Sequence, residues 1–450
     1  MDISAVIAKV EASHHERVKV AVVDLDGVLR GKYIHKRKFL SALEKGFGFC
    51  NVVFGWDCGD MAYGNSHYTG WHTGYPDAHA QLDPSTYREI PWEDNVPFML
   101  GHFVESPSGD QYLPICPRQL VQRMAEKAKG MGFSTLFGCE YEWFNFSETP
   151  ESLAEKDYRN PQPLTPGMFG YSLLRSAYRN AYFTDLMEFA NGFDVPLEGI
   201  HTETGPGVYE AALLATDVVE QADRAVLFKS LVKEIAYQHH IIPSFMARWN
   251  DTLPGCSGHL HQSLWSADGK TNVFLDSDDP HGMSETFKHY LAGLIHCVPD
   301  LMPMFAPTVN SYKRLVEGFW APTRSNWGFD NRTVAFRVIP YSRVEARVAG
   351  ADMNPCLAMA ACLGAGLYGI EHQLKLEDEP IGGNGYQDKG GAPFPSNLHE
   401  ASQRFKQSPI ANALFGEAFV THLANSREWE WQQSQEAVTD WELKRYFEII

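Results

Sequence analysis

Residues 137–146 read Phe-Gly-Cys-Glu-Tyr-Glu-Trp-Phe-Asn-Phe. Two carboxylates, Glu140 and Glu142, stand two apart in a run that is otherwise apolar and aromatic. In a strand, residues i and i+2 project from one face. A strand over residues 133–146 would therefore aim both carboxylates into one space and bury Tyr141 and Trp143 on the other side. Close polar spacing recurs in His201-Thr202-Glu203 with Glu210, in His259-Leu260-His261, in Arg332 to Arg337, and in Glu345-Ala346-Arg347. No single pair is diagnostic, but the set is. Glutamate is almost never buried unless paired. Two like charges about 4 Å apart repel by roughly 4 kcal/mol at an effective dielectric near 20. Gathering Glu140, Glu142, Glu203, Glu210 and Glu345 thus requires cations, and hard oxygen ligands suit Mg²⁺ or Mn²⁺.

His259 and His261 share a strand face beside glycines and read as a metal ligand and a phosphate or substrate contact. Between Lys313 and Arg347 lie six arginines and one lysine against three acidic residues, in a chain of net charge −18. Arginine grips carboxylate and phosphate through two parallel bonds. Interleaved with Phe, Trp and Val, this stretch reads as a phosphate cradle rather than a solvated face. The paired-metal, phosphate-binding character points to an ATP site. The sequence has no GxxxxGK[ST], so that site is not a P-loop.

Working outward, residues 18–25 read as a buried strand closed at Asp26-Gly27, after a short amphipathic helix. Residues 33–45 predict a helix, and residues 50–90 a long functional loop. A strand pair over 98–113 would turn at Ser-Pro-Ser-Gly-Asp, ahead of an amphipathic helix over 118–129. Further helices are predicted over 173–193, 217–239, 283–297 and 355–373, with strands over 209–214 and 258–265. Residues 380–395 read as an exposed loop, and the tail from 396 as helical and polar. This pattern predicts two domains, 1–113 and 114–450.

Composition is ordinary for a globular chain, 44% hydrophobic and 21% charged. The acidic balance argues against a nucleic-acid binder. The longest near-apolar run, 355–370, falls short of the roughly 18–20 residues a membrane span needs. Eight scattered cysteines without a CxxC suggest a reducing compartment, and the start of the chain lacks a signal-peptide core. A cytoplasmic protein is the expectation.

Two motifs compete with this reading. Asp24-Leu25-Asp26-Gly27 follows an apolar strand, as in haloacid-dehalogenase-type phosphatases, with Asp276 to Asp279 as the acidic cluster that chemistry would need. A strand ending in an Asp-Gly turn explains it better. Gly364 to Gly369 matches GxGxxG but lies inside a helical run, where close helix packing explains it better than a dinucleotide site.

In chain order, DLDGVLRGK, GYPDAHAQLDPST, FGCEYEWFNF, HTETGPGVYE, FKSLVKEIA, SGHLHQSLW, NSYKRLVEG, NRTVAFRVIP, RVEARVAGADMNP and the final WE-x₃-Y resemble the glutamine synthetases and glutamate–amine ligases over nearly the whole chain. The resemblance implies an α+β fold: a small N-terminal β-grasp-like domain and a larger catalytic domain of antiparallel sheet flanked by helices. It implies an ATP-dependent ligase that joins the γ-carboxylate of glutamate to an amine through a γ-glutamyl phosphate. Glu142, Glu203 and Glu210 would hold one divalent ion, and Glu140, His259 and Glu345 a second. Gly255, Arg314 and Arg347 would bind glutamate. Arg332, Arg337 and Arg343 would contact phosphates, Arg332 also serving catalysis, and His261 and Ser263 would contact the nucleotide. Asp57 sits roughly where the family's amine-deprotonating aspartate lies. The family further implies a homo-oligomer, a dodecamer of two stacked hexameric rings, with sites between subunits and the 50–90 loop reaching across.

The chain departs from the family twice. Ammonia-using members carry a Glu six positions after the Arg314 equivalent, where this chain has Trp320 in Gly318-Phe319-Trp320-Ala321-Pro322. Tryptophan cannot take a proton from ammonium but offers an apolar or cation–π surface. The Asn expected before Gly255 is Pro254. The expectation is therefore a ligase for an organic amine. A true glutamine synthetase is the alternative, and a non-catalytic structural member a third reading.

Overall fold

The computed structural model describes residues 1–106 and 111–450. Its central feature is an eight-stranded sheet built around the strand Phe133–Phe146. That strand is flanked on one side by Gly258–Ser266, Arg343–Ala346, Phe336–Ile339 and Trp327–Phe329. On the other side it is flanked by Val208–Leu213 and Leu197–Thr202. Every pairing among these is antiparallel except that of the two outermost strands, Trp327–Phe329 and Phe336–Ile339.

One face of this sheet is dry. Cys139, Tyr141, Trp143, Tyr209, Ala211 and Leu260 are buried there. The 21-residue helix Val218–Gln238 covers the central strand, with Phe228 stacked on Tyr141 at 5.9 Å between ring centroids, and Tyr209 meets Tyr182 and Phe183. Behind lies the helix Pro355–Glu371, buried on nearly every side. A helix apolar all round must be covered all round. Its GxGxxG run is what lets its neighbours approach: a Cβ at Gly366 would overlap the Tyr290 ring, and one at Gly369 the carbonyl oxygen of His289. The packing reading of that motif holds.

A six-stranded sheet, with Arg17–Val23 and Val96–Val104 parallel at its centre, carries the helix Lys36–Lys45 in a β-grasp-like arrangement. Buried polar ties join it to the larger sheet's layer. Arg118 donates to Asp83 and Asp223 at 2.8 Å each, and Asn354 Nδ2 donates to the carbonyls of Asp24 and Leu25.

Several expectations from the sequence need correcting. The 33–45 helix begins at Lys36, because residues 29–35 pair with the first strand as an antiparallel ribbon. The 50–90 segment is not loop throughout: Asp77–Leu82 and Arg88–Ile90 join the small sheet. The 173–193 helix is two helices parted at Arg179. The tail is polar only at its end, since Leu398, Phe405, Phe415, Phe419 and Leu423 are buried. The Ser-Pro-Ser-Gly-Asp turn lies outside the described residues at 107–110. The carboxylates of the Asp24/Asp26 motif are structural: Asp24 Oδ1 accepts from the amides of Asp26 and Val28 and Oδ2 from Arg30, while Asp26 pairs with Arg427. Asp279 likewise accepts from the amides of His281 and Met283. Among the described residues no helix is long and apolar enough to cross a membrane.

Gly369→Ala forces a methyl group onto the His289 carbonyl, and overpacking of this kind costs about 1–3 kcal/mol. The variant is expected to unfold at lower urea concentration than the parent with an unchanged m-value, as followed by circular dichroism.

Candidate active site

Strand register assembles the site. Across the large sheet, Glu142 lies opposite Glu210, and Glu210 lies opposite His201. Two residues along, His259 lies opposite Glu140. On the next strands His261 lies opposite Glu345, and Glu345 opposite Arg337. Side chains directly opposite on one face touch. Alternation sends the aromatic residues between them into the core, so the polar residues are left on the open face.

That face floors a cavity of about 630 Å³ lined by Glu140, Glu142, Glu203, Glu210, His259 and Glu345, together with Gly255, Trp320, Arg332, Arg337 and Arg347. A second cavity of about 440 Å³ adjoins it across Glu140, His201 and Glu210, and holds His261, Ser263 and Arg343. All six residues expected as metal ligands thus share one cavity. The two expected nucleotide contacts and one of the three expected phosphate arginines share the next. Arg314 does not line either. It lies buried beneath, donating to the carbonyls of Val348 and Arg347 and to Ser257 Oγ. Asp57 is also elsewhere within this chain: its carboxylate accepts from Trp429 Nε1 and from the amides of Gly59 and Met61.

Two carboxylate groups can be distinguished. Around Glu345 the charge is balanced. Arg347 approaches it at 2.5 Å and Arg337 at 2.8 Å, with His259 Nδ1 3.4 Å away. Burial would raise this carboxyl, but His259, Arg347 and His261 hold it down at about 2. Glu140 lies 3.1 Å from His261 Nε2 and 3.4 Å from His259 Nδ1. Burial opposes ionisation of Glu140 too, and the hydrogen bonds of the two histidines outweigh it, leaving the carboxyl well below the usual range. His259 itself is held down by burial and by Arg347. His259 Nε2 is buried with no hydrogen-bond partner among the described residues, while His261 Nε2 is turned toward Glu140. The atoms of Glu140, His261 and Glu345 lie mutually within 4.8 Å. His259 Nδ1, 3.4 Å from both carboxylates, is equally placed to ligate.

The Glu142 group is unbalanced. Glu142 Oε2 accepts from the Ser257 amide at 2.7 Å, but burial and the facing Glu210 push its carboxyl up to about 8. Among the described residues the one ion-pair partner of Glu210 is His201, at 3.6 Å, and hydrogen bonding to Glu210 raises that imidazole. Glu203 accepts from the Thr204 amide. Three converging carboxylates with so little compensation fit a hard divalent cation, and His259 Nδ1 between Glu140 and Glu345 fits a ligand role beside the balanced group.

Spacing and resemblance assign no role to His201, Tyr171, Ser257 or Phe319, all of which reach the cavities. His201 carried a signal, two residues before Glu203. Tyr171 sits in irregular chain with none, and it lines the cavity with its ring tilted 31° against His201, centroids 4.5 Å apart.

The raised Glu142 pKa has a signed consequence. Between the ordinary value of 4.5 and about 8, the folded protein holds a proton that the unfolded chain has lost. Its contribution to stability is full below the lower value and lost as pH rises through the upper one. In EDTA, the melting temperature of the parent protein should fall from pH 5 to 8 relative to Glu142→Gln, and Mn²⁺ should remove that difference. A parent and variant that track each other across this range would contradict it.

Comparisons with known proteins agree with this geometry. The family model described as glutamine synthetase, catalytic domain, matches residues 114–446. The chain is 48% identical over 451 residues to the type-1 glutamine synthetase 2 of Dictyostelium discoideum, covering 99% of this chain and 86% of that protein. It is 35% identical to the glutamate–isopropylamine ligase of a Pseudomonas species, covering 98% and 97%. The solved GmaS/ADP complex superposes with a TM-score of 0.85 at 26% identity, covering 99% of each chain. The chain belongs to the glutamine synthetase family of ligases.

Proposed function

We propose that the chain is a γ-glutamyl-amine ligase, which uses ATP to join the γ-carboxylate of glutamate to an organic amine. The observation that carries this reading is Trp320. It stands 55% exposed on the wall of the carboxylate cavity, where ammonia-using members have a glutamate. Phe319, Tyr171, Val208 and Pro254 line the same cavity and give an incoming amine apolar contact. Relatives bear names of the same kind: the isopropylamine ligase, a γ-glutamylethanolamide synthetase of Streptomyces coelicolor at 34% identity and a γ-glutamylputrescine synthetase of Escherichia coli at 30%.

A carboxylate does not acylate amines, because oxide is too poor a leaving group. Phosphoryl transfer breaks the bond from the γ-phosphorus to ADP and forms one to the γ-carboxylate oxygen. Bound divalent ions would neutralise phosphate and carboxylate charge, held by Glu142, Glu203 and Glu210 on one side and by Glu140, His259 and Glu345 on the other. Arg332 stands on the cavity wall and Arg337 beside it, bonded to Glu345 and Asp330, with Arg343 in the adjoining cavity; these arginines would meet the equatorial phosphoryl oxygens. Arg347 and Gly255 offer a carboxylate site above the buried Arg314. His261 and Ser263 face the nucleotide side. A neutral amine nitrogen then attacks the acyl carbon, inorganic phosphate leaves, and the nitrogen loses a proton.

The second reading, ammonia as acceptor, is favoured by the 48% identity to a protein named glutamine synthetase. Phosphate release with glutamate, ATP and a panel of amines separates the two. Short alkylamines should exceed ammonium in kcat/KM, and Trp320→Glu should move the preference toward ammonium by about tenfold, the scale of one lost aromatic contact and one gained carboxylate. Ammonium as the best acceptor of the parent enzyme would reject the amine reading. Absence of any ATP turnover would instead revive the structural reading.

We also propose that Asp57 acts in a neighbouring copy's site, in a ring assembly that is a dodecamer of two hexamers. Within one chain it lies away from the carboxylate cavity, on the segment between the small sheet's strands. Mixed oligomers of inactive Asp57→Ala and inactive Arg332→Ala chains should recover activity, whereas sites built from one chain would leave every mixture inactive.

A further inference from the structure

Trp320 holds a left-handed backbone conformation, φ 62°, and Gly318 two residues before it has φ 83°. A bulky residue in that region is strained, and such a conformation persists only where its surroundings over-determine it. Phe319, between them, is capped by a cation. The Arg248 guanidinium lies over its ring, 4.4 Å from the centroid.

Arg248 is itself fixed on every side. Its Nε donates to the carbonyl of Asn250 at 3.1 Å, Nη1 to that of Lys313 at 2.8 Å and Nη2 to that of Asp251 at 2.7 Å. Its amide donates to Asn310 Oδ1, and Asn310 Nδ2 donates back to its carbonyl. Among the described residues no carboxylate pairs with it. Three backbone carbonyls and an aromatic face take the place of a counter-ion. The planar fork reaches all three carbonyls and keeps its flat side for the ring, which an ammonium cannot do. The buried Tyr386 hydroxyl faces the Trp320 backbone amide, a second contact on the same segment.

We propose that Arg248 is a specificity-determining positioning residue: by clamping Phe319 it holds Trp320 in its strained pose on the cavity wall, and so shapes the acceptor site for a primary amine with a small apolar substituent. This rests on the amine-ligase reading above. Arg248 touches none of the reacting groups. Its effect passes through the Phe319 ring, so it acts on the amine and not on ATP.

Two variants test it, with the full-length enzyme in its native assembly. Arg248→Met removes the cation. Phe319→Leu keeps Arg248 and its carbonyl contacts but removes the ring, so it guards against a folding defect in the first. Both should raise KM for n-propylamine by about tenfold, the scale of a desolvated cation–aromatic contact. KM for ATP and glutamate should stay within about twofold, and the preference for propylamine over ammonium should fall. In both, the part of the tryptophan emission absent from Trp320→Phe should become more accessible to iodide quenching. Unchanged propylamine KM and quenching in both variants would overturn the proposal, as would a rise of all three KM values by one common factor. Failure of the parent enzyme to prefer propylamine over ammonium would count against the amine-ligase reading instead, and the quenching result would still decide whether Arg248 holds Trp320.

Discussion

The mutual repulsion of carboxylates on the open face of one antiparallel sheet governs the rest of the molecule. Glu140, Glu142, Glu210 and Glu345 stand at neighbouring or diagonal positions of a single surface, with Glu203 just beyond a strand end. The protein tolerates the concentration of charge in two ways. At Glu345 it supplies arginines and histidine. At Glu142 it leaves the charge unmatched, so that a proton resides there until a cation replaces it. The second arrangement costs stability in the empty protein and returns it as affinity for metal.

Holding such a surface in shape requires a rigid reverse face. Tyr141 and Trp143 pack against Phe228 and Phe245, Tyr209 packs against Trp143, and behind them the helix Pro355–Glu371 uses glycines to admit its neighbours at close range. Close-packed interiors transmit displacement rather than absorb it. A shift of the central strand would therefore move Glu140 and Glu142 together. The alternation that buries the aromatics is the same alternation that exposes the ligands, so core and site cannot vary independently along residues 139–143.

The acceptor end is built on a different principle. No strand register governs residues 318–322. Their conformation depends on a cation–aromatic contact and on backbone carbonyls drawn from residues 250, 251 and 313. A loop held by a few directional contacts accepts substitution more readily than a sheet, so the wall at Phe319 and Trp320 can change while the carboxylates and arginines of the sheet stay fixed.

Much of the site is legible in the order of the residues. The i, i+2 spacing of Glu140 with Glu142 and of His259 with His261 names the strand faces, because alternation is a local property of the backbone. The family resemblance names the partners. Sequence by itself determined the length of the central strand, the fully apolar helix and the surplus of arginine between 313 and 347. It misjudged the segments whose state depends on distant pairing: residues 29–35 and 77–82 become strands only because another edge accepts their hydrogen bonds, and Arg179 interrupts a helix whose periodicity continues through it. Only the tertiary structure decided that Arg314 lies under the cavity, that Asp57 stands apart from it in one chain, and that Arg248 meets Phe319. Those outcomes turn on contacts between residues tens to hundreds of positions apart, and no local rule of composition or spacing encodes a meeting of that kind.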